Sequence, residues 1–395
     1  MKIALLTLKY SPLLGGDVTH TVHLGRFLAE QGVETHVITI RPRVQTLDEP
    51  RENIRVHRLG LPATTTELET IGAKRFLYMA SSFLLLLRLL LENRLDLVHA
   101  HGWDPALVGG LFSRIFRVPL ILTVHGIPRP GQPIPRKVFP LLERVILWLC
   151  SLDHSRIVAL TDSDRDRLVE LGVPDERIDV IPNGIDLNEF KRISPGSFRE
   201  EHGISPDVFL ALFVGRLHEQ KGVEVLLRAA KRLEGSDISF VVVGSGHQKK
   251  EYADLAEKLG LSDVLFTGEI ERKDLLSAFA SSDLFVLPSL FEGMPYVVLE
   301  AMAAEKPVVA TRLPGLAEIL LEGETGVLFN KGDDEGLAQA IRRLKDDREL
   351  ARKMGEAGRR LVEARFDWKA VFRRTMETYR EVLGEKKGVW RVLTR

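Results

Sequence analysis

The sequence predicts an α/β protein made of two doubly wound domains, each with a parallel sheet covered by helices on both faces. Near-continuous runs of Val, Ile and Leu, which are typical of strands buried on both faces, alternate with helical patterns along the chain. The runs form two series, separated by the turn-rich stretch 181–190, IPNGIDLNEF. A length of 395 residues also suits two domains of ordinary size.

The first series predicts a domain of residues 1–186. Its strands are expected over 2–8, 35–40, 95–100, 120–125, 156–160 and 178–182. Helical periodicity fills the intervals, over 18–31, 69–93, 105–116, 140–151 and 163–171.

The second series predicts a domain of residues 187–369. Its strands are expected over 208–214, 238–244, 264–268, 284–288, 307–311 and 326–329. Further helices follow Asp333, and we expect the last of them, about 370–395, to pack back on the first domain.

The composition describes a globular protein without an excess of either charge. Apolar residues make up 45% and charged residues 28%, with 55 basic and 55 acidic side chains, a balance that argues against a nucleic-acid partner. Cys150 is the single cysteine, which excludes an intrachain disulfide and a CxxC metal site and favours a reducing, cytoplasmic setting. The most apolar segment, 76–91, is shorter than the ~20 residues of a membrane span, so no span is expected.

Two cations follow the first strand of the second series. Gly215 and Arg216 come directly after Val214, and Lys221 follows in the same loop. In parallel sheets, ligands bind beyond the carboxyl ends of the strands. Charge-assisted hydrogen bonds from two cations suit a diphosphate there. The alternative is a pair of solvated cations at an ordinary loop.

The segment FEGMPYVVLE contains two carboxylates around the expected start of a helix. Pro295 suits the first helical turn, after a cap at Gly293 or Met294. Free backbone N–H groups at such a helix start bind an anion or sugar hydroxyls. Glu292 and Glu300 flank this point, so the segment favours a ligand that carries both hydroxyls and phosphate. The alternative is one solvated loop glutamate and one exposed helical glutamate.

Two further strand ends carry groups that suit a ligand site. Gly15 and Gly16 follow the first strand, where paired glycines let backbone N–H groups approach a ligand closely. His125 ends another strand and precedes Gly126. A plain turn at the glycines and a structural role for the histidine are the alternatives.

Neither the histidines nor the acidic residues predict a metal site. His99 and His101 share a strand end but have no third ligand nearby in the sequence. The DxD-like stretch Asp162-Ser-Asp164-Arg-Asp166 begins a helix, where Ser and acidic residues cap the N-terminus and favour the dipole. We therefore expect no bound metal.

Taken together, these motifs resemble those of glycosyltransferase family 4. The resemblance runs in register from about residue 2 to 370 and includes Asn183-Gly-Ile-Asp186, and the block EGMP…LEAMA is its most specific part. The family comprises retaining nucleotide-sugar transferases with the GT-B fold. The resemblance therefore implies two Rossmann-like domains facing across a cleft, an N-terminal acceptor-side domain and a C-terminal donor-binding domain.

The resemblance implies roles for the EGMP block and its helix. The hydroxyls of the donor sugar would be held by Glu292 and by the amides of Gly293, Met294 and Tyr296. Glu300 would bind the ribose hydroxyls.

The resemblance also implies the remaining site residues. Arg216 and Lys221 would bind the diphosphate, and His125 would contact the sugar near the reacting centre. The expected catalytic residues are therefore His125, Glu292, Arg216 and Lys221. The further donor-binding residues are Gly15, Gly16, Gly215 and Ile270, the last through its backbone to the base. Glu305 departs from the family pattern, which has a small Gly at this place.

The implied reaction moves a hexosyl group from a UDP- or GDP-sugar to a hydroxyl acceptor, lipid-linked or on a glycan. It proceeds with retention and needs neither a cofactor nor a metal, and it belongs to the biosynthesis of glycans or of the cell envelope. Two alternatives stay open: a nucleotide-sugar 2-epimerase of the same fold, and a non-catalytic protein that binds sugar nucleotides.

Helix 69–93 adds an expectation about the membrane. It carries Phe76, Leu77, Phe83, Leu84, Leu87 and Leu91, with Lys74, Arg75, Arg88 and Arg94 around them. An apolar face with a cationic rim favours peripheral contact with an anionic membrane, to which the loop 127–135 and the tail 386–391 would add basic residues. The alternative is that this helix simply covers its own sheet.

Overall fold

The computed structural model describes residues 1–13, 15–43, 52–64, 66–69, 72–127, 139–191, 193–196 and 198–384. The chain divides into two compact units. The first unit comprises Met1–Asn183 and the C-terminal segment from Val371, and the second comprises Gly184–Ala370. The boundaries expected from the sequence, 186/187 and 369/370, lie three residues and one residue from this division.

The first unit contains a seven-stranded parallel sheet with the strand order β3-β2-β1-β4-β5-β6-β7. The strands are β1 (Lys2–Thr7), β2 (Glu34–Pro42), β3 (Ile54–Ala63), β4 (Leu97–His101), β5 (Leu120–Thr123), β6 (Ser155–Ala159) and β7 (Ile178–Val180). The central strands β1, β4 and β5 are almost entirely buried, which explains their continuous apolar sequences.

Helices cover this sheet. They are α1 (Gly16–Glu30), α2 (Ala73–Leu91), α3 (Trp103–Phe116), α4 (Phe139–Cys150) and α5 (Asp162–Glu170). Hydrophobic side chains of α2, α3 and α4 pack with those of β4 and β5 in one core. The bounds agree with the prediction to within two residues except at the start of α2, which follows a 3₁₀ turn over Thr66–Glu69.

Strand β3 is absent from the strands predicted from the sequence, and the structure corrects this. The strand sequence IRVHRLGLPA interrupts its apolar residues with Arg, His and Gly, so it lacks a continuous apolar run. Because β3 lies at the edge of the sheet and most of its residues stay partly exposed, it does not need the composition of a buried strand.

The second unit contains a six-stranded parallel sheet with the strand order β10-β9-β8-β11-β12-β13. The strands are β8 (Phe209–Val214), β9 (Ile238–Val243), β10 (Val264–Gly268), β11 (Leu284–Leu287), β12 (Val308–Thr311) and β13 (Gly326–Phe329). All six predicted strands are confirmed, with bounds within one residue. The helices are α6 (Phe198–Glu201), α7 (Val223–Arg232), α8 (Lys249–Lys258), α9 (Arg272–Ser281), α10 (Tyr296–Ala303), α11 (Pro314–Ala317), α12 (Asp334–Asp346) and α13 (Arg348–Arg365).

The last described helix, α14 (Trp368–Val382), runs into the first unit. The Phe372 ring stacks on Phe27 with a centroid distance of 4.5 Å, and the Tyr379 hydroxyl lies 2.7 Å from His99 Nδ1. The sequence predicts a returning helix over about 370–395, of which residues 385–395 lie outside the described part of the chain.

Each sheet contains a point where the strand order changes direction. In the first unit this switch point lies between β1 and β4, and in the second it lies between β8 and β11. Doubly wound sheets bind ligands at the carboxyl ends of the strands on either side of such a point. The loops after these four strands are therefore the expected positions of a ligand site.

Candidate active site

In the second unit, the loops after β8 and β11 meet through an ion pair between Lys221 and Glu292. Lys221 Nζ donates to Glu292 Oε1 at 2.5 Å, and the exposed fractions of the two side chains are 13% and 8%. Ser289 Oγ donates to the same carboxylate oxygen at 2.7 Å. At the switch point of the second sheet, the pair therefore combines a cation that suits a phosphate with an acceptor that suits hydroxyl groups.

Hydrogen bonds to backbone carbonyls fix these two loops on each other. The Leu290 N–H donates to Gln220 O at 2.7 Å, and Gln220 Nε2 donates to Phe291 O at 3.0 Å. Gly222 has a φ of +64°, and a Cβ atom at this position would lie 2.0 Å from Pro288 O. Only glycine fits here, because any side chain would separate the two loops.

Gly215 and Gly244 form a second close contact between strand ends. The Gly215 N–H donates to Val243 O at 3.0 Å, and a Cβ atom on Gly244 would lie 2.0 Å from Gly215 O. Arg216 follows directly and is exposed. The structure thus places Arg216 and Lys221 in one loop at the end of β8, with Lys221 mostly buried and Arg216 open to solvent.

Helix α10 begins slightly later than the sequence predicts. Pro295 is the N-cap residue, with φ −74° and ψ 127°, and Tyr296 is the first helical residue. The proline ring fixes φ at about −65° in a cap as in a first turn, so the sequence does not distinguish the two positions. Among the described residues, no group accepts a hydrogen bond from the Gly293 N–H. This N–H is free for a ligand beside Glu292 and the buried Met294.

Glu300 lies in the second turn of α10 and is bound by Arg272, a residue that the sequence analysis does not select. Arg272 Nη1 donates to Glu300 Oε1, and Arg272 Nε donates to Glu189 Oε2 at 3.1 Å. Burial lowers the pKa of Arg272, but the two carboxylates outweigh it and hold the pKa above its ordinary value. A signal for Arg272 was present, because it begins the helix that follows Ile270 at the carboxyl end of β10.

In the first unit, Gly15 and Gly16 form the start of α1 shortly after β1. Gly15 is the N-cap residue, and its carbonyl accepts a hydrogen bond from the Thr19 N–H at 3.0 Å. A Cβ atom on Gly15 would lie 2.4 Å from Asp17 Oδ1. The two glycines therefore stand at a helix N-terminus, where the helix dipole and N–H groups favour an anion.

His125 follows β5 and belongs to a cluster of four histidines in the first unit. Its ring centroid lies 5.4 Å from that of His101 and 5.1 Å from that of His20. A hydrogen bond of 3.1 Å joins His101 Nδ1 and His125 Nε2, and the His99 ring lies 4.1 Å from that of His101. This cluster is not predicted from the sequence. The alternate positions of His99 and His101 do place these two members on one face of β4.

The cluster keeps its imidazoles neutral at pH 7. Burial, with a smaller contribution from His125, lowers the pKa of His20 to about 3. Burial, with a smaller contribution from Lys9, lowers the pKa of His125 to about 4. Burial also lowers the pKa of His99 and that of His101 well below the ordinary value. A neutral His125 has one donor and one acceptor, which suits a sugar hydroxyl.

The acidic stretch 162–166 begins a helix, as the sequence predicts. Thr161 is the N-cap residue, and its Oγ1 accepts a hydrogen bond from the Asp164 N–H at 3.1 Å. Within the part of the chain that the structure describes, no group of three or more His, Cys, Asp or Glu side chains is arranged to hold a metal ion.

Two family models match consecutive parts of the chain. The model described as Glycosyltransferase Family 4 matches residues 14–189, and the model described as Glycosyl transferases group 1 matches residues 196–361. The first match ends and the second begins close to the division between the two units.

Similar proteins match the chain over almost its whole length. It is 30% identical to the D-inositol 3-phosphate glycosyltransferase of Paenarthrobacter aurescens over 407 residues, covering 96% of this chain and 98% of that protein. The structure of sucrose-phosphate synthase from Thermosynechococcus elongatus has a TM-score of 0.83 at 24% identity, covering 97% of this chain and 99% of the other. The structure of Anabaena HepE in complex with UDP-glucose has a TM-score of 0.78 at 22% identity, covering 96% of this chain and 100% of the other.

Proposed function

Because the chain belongs to glycosyltransferase family 4 and has the GT-B fold, we propose that it moves a hexosyl group from a UDP- or GDP-sugar to an acceptor hydroxyl, with retention. The observation that carries this proposal is the ion pair of Lys221 and Glu292 at the switch point of the second sheet. A nucleotide sugar presents a diphosphate next to a ring of hydroxyls, and the pair offers a matching group to each.

The chemical step is the departure of a nucleoside diphosphate from the anomeric carbon. The bond between that carbon and the β-phosphate oxygen breaks, the phosphate keeps the electron pair, and an oxocarbenium-like sugar forms. Lys221, Arg216 and the start of α10 would stabilise the charge that develops on the phosphate. The acceptor oxygen then bonds to the same face of the sugar, and its proton passes to the departing phosphate oxygen.

The donor contacts of this proposal are those that the family resemblance implies. The sugar hydroxyls would bind to Glu292, to His125 and to the N–H groups of Gly293, Met294 and Tyr296. Glu300, held in place by Arg272, would bind the ribose. The remaining donor contacts of the proposal are Gly15, Gly16, Gly215 and Ile270.

The relatives support a donor and an acceptor of this kind. HepE was solved with UDP-glucose, which makes UDP-glucose the first donor to test. The relative from Paenarthrobacter is named for D-inositol 3-phosphate, so a phosphorylated polyol is a rational first acceptor. The proposal extends to a lipid-linked or glycan acceptor and to a reducing, cytoplasmic setting, with which the free and buried Cys150 is compatible.

Thermal unfolding with a panel of UDP- and GDP-sugars identifies the donor, because a ligand at 100 times its Kd adds about 2.7 kcal/mol to the unfolding free energy. NMR of the product then gives its anomeric configuration, which we expect to equal that of the donor. We propose that no metal takes part and expect activity to persist in EDTA. An inverted product, or activity lost in EDTA and restored by Mn²⁺, contradicts this mechanism.

A reaction without acceptor separates the proposal from its two alternatives. A 2-epimerase would convert UDP-GlcNAc with no acceptor present, and a non-catalytic binding protein would neither transfer nor hydrolyse a donor. We expect slow donor hydrolysis alone and fast turnover only when an acceptor is added.

A further inference from the structure

The first unit exposes an unusual amount of apolar surface on one group of helices. Thirteen large hydrophobic side chains are exposed among the described residues, and ten of them lie on α2, α3 and α4. In the second unit Leu321 is the single example among the residues described there. Globular proteins usually scatter such side chains, so their concentration on three helices indicates an interaction surface.

Helix α2 covers its own sheet with one side and leaves an apolar side open. Phe76, Leu84 and Leu91 are 67%, 65% and 75% exposed. Phe83 and Leu87, which the sequence analysis counts with them, instead pack against the core. One side of α2 therefore covers its own sheet, and the other side has exposed apolar residues; contact with a membrane stays a prediction.

Helices α3 and α4 extend the apolar surface. Leu111 and Ile115 are exposed on α3, and Leu141, Val145 and Trp148 are exposed on α4. Within each helix these positions are separated by three or four residues, so they share one face.

Side-chain contacts join the three helices at this surface. The ring of Phe83 on α2 lies 6.3 Å, between centroids, from that of Phe116 on α3, and Phe116 is exposed. The guanidinium of Arg114 on α3 lies 3.9 Å from the ring centroid of Trp148 on α4. We call this surface the outer face of α2–α4.

The cations that the sequence places around the apolar residues of α2 are all neutralised by acidic neighbours. All four form ion pairs: Lys74 with Glu67, Arg75 with Asp104, Arg88 with Glu92, and Arg94 with Glu34. Of the loop expected to add basic residues, Ile127 is buried and the remainder, like the tail 386–391, lies outside the described residues.

Exposed cations without an ion pair lie on α4 and directly after α3, and no acidic side chain is exposed on these two helices. The three helices contain two acidic residues, Asp104 and Glu143. Asp104 accepts two hydrogen bonds of 2.5 Å from Arg75, and Glu143 is 3% exposed. Arg144 and Arg117, which follows α3, are exposed and form no ion pair with any described residue. A partner for the outer face must therefore be both apolar and anionic.

We propose that the outer face of α2–α4 docks on an anionic lipid bilayer. Such a bilayer offers acyl chains to the apolar side chains and phosphates to the arginines, and Trp148 beside Arg114 suits the boundary between these layers. A second copy of the chain is a poorer partner. A two-fold contact places the same surface on both sides, so the arginines would face each other without an exposed acid from these helices.

Co-sedimentation of the full chain with vesicles tests this proposal. We expect binding to vesicles of phosphatidylcholine with phosphatidylglycerol and little binding to phosphatidylcholine alone. Binding should decline from about 0.1 to about 1 M salt, where the screening length falls from about 10 to about 3 Å. Arg117→Glu with Arg144→Glu should lower the partition coefficient at least about twenty-five-fold, since loss of each basic residue near the surface lowers it about fivefold.

Two further variants separate charge from apolar area. Lys258→Glu with Arg343→Glu reverses two exposed cations of the second unit. It changes the net charge as much as Arg117→Glu with Arg144→Glu does, and we expect unchanged vesicle binding. Leu141→Gln with Val145→Gln removes apolar area without changing charge, and we expect weaker binding at every salt concentration.

The outcomes are distinct from those of the nucleotide-sugar tests. Donor hydrolysis should equal that of the wild type in all these variants, because none of the changed residues is assigned to the donor site. Absence of vesicle binding by the wild type at low salt overturns the proposal, and so does equal loss of binding in the second-unit control. A dimer in light scattering that Leu141→Gln with Val145→Gln converts to a monomer overturns it too, since a second copy then covers this face.

Discussion

Lys221 and Glu292 hold each other in an ion pair that is almost closed to solvent, although the sequence predicts a ligand for each of them. The pair fixes both side chains before any ligand arrives. A diphosphate would compete for Lys221 and a sugar hydroxyl for Glu292, so binding exchanges contacts instead of ordering two mobile side chains. Removal of one partner from a buried pair leaves the other charge uncompensated, which costs about 3–5 kcal/mol.

Lys221→Ala should lower kcat by about 10²–10³, because it removes a cation placed to stabilise the developing phosphate charge. It should also lower the unfolding free energy, since Glu292 is left unpaired. Lys221→Ala with Glu292→Ala should recover part of the unfolding free energy but none of the kcat. Steady-state kinetics and urea unfolding measure the two effects.

Arg216→Ala, at an exposed position, should lower kcat by a similar factor with little effect on the unfolding free energy.

Lys231→Ala is the control, because Lys231 at the end of α7 forms an exposed ion pair with Glu234, which follows the helix. We expect its kcat and unfolding free energy to stay near those of the wild type. Wild-type kcat in Lys221→Ala would exclude a catalytic role for this lysine.

Glu300→Ala should raise the KM for the donor and leave kcat nearly unchanged, because ribose contacts are equally strong in the ground state and the transition state. Arg272→Ala should shift KM in the same direction by a smaller factor, since Arg272 acts by holding Glu300. Glu257→Ala, at an exposed position of α8, is the control. Steady-state kinetics with varied donor concentration measure KM and kcat for each variant. A large loss of kcat with unchanged KM in Glu300→Ala would contradict a ribose contact.

Gly222→Ala should destabilise the second unit and lower kcat/KM, because its methyl group would lie 2.0 Å from Pro288 O and separate the loops after β8 and β11. Gly235→Ala is a matched control, since Gly235 has a similar φ of +75° and no atom within 4 Å of the added Cβ. Both variants carry the strain of a positive φ, about 1–2 kcal/mol. The difference between them in thermal unfolding therefore reports the clash alone. Equal effects in both would show that the loop contact is unimportant.

The histidine cluster predicts that the first unit loses stability as the pH falls below about 6.5. Burial lowers the pKa of His20 to about 3 and that of His125 to about 4, so the folded state stays unprotonated where the unfolded state binds protons. The full unfolding free energy is therefore present above the pKa that these histidines have in the unfolded chain. As the pH falls from about 6.5 to about 5, each of them lowers the unfolding free energy by about 2 kcal/mol.

Pulse proteolysis in urea at pH about 7 and about 5 measures this dependence. His20→Gln cannot be protonated and should reduce the difference between the two pH values. His202→Gln, which changes a histidine of the second unit, should leave the difference as in the wild type. An unchanged difference in His20→Gln would show that His20 does not couple folding to pH.

The sheets could be predicted because buried parallel strands must be apolar throughout, and this pattern is readable in strands such as β8 and β11. The edge strand β3 could not be predicted in this way, because a partly exposed strand does not need a continuous apolar sequence. At the site, residue type and strand-end position indicate Lys221 and Glu292. The ion pair between them depends on how two loops, 71 residues apart in the sequence, lie against each other, and no local sequence pattern indicates that. Arg272 and the histidine cluster require knowledge of which strand ends are neighbours.

Glu305 shows how a departure from the family pattern is accommodated. It stands just after the end of α10, where a glycine is usual, and its φ is +58°. The backbone therefore keeps the left-handed conformation that follows many helices, although the side chain disfavours it. In this chain the fold determines the turn more strongly than the residue does.

The first unit draws its strands from one end of the chain and its last helix from the other. A nascent chain emerges from the ribosome N-terminus first, so the seven strands appear long before Phe372 and Tyr379, which contact Phe27 and His99. The second unit is one uninterrupted segment and can finish its sheet earlier. We therefore expect ribosome-bound chains that end at residue 370, followed by an unstructured linker long enough to fill the exit tunnel, to show a protease-resistant second unit and a protease-sensitive first unit. The part of the protein that is translated first is then the part that completes its folding last.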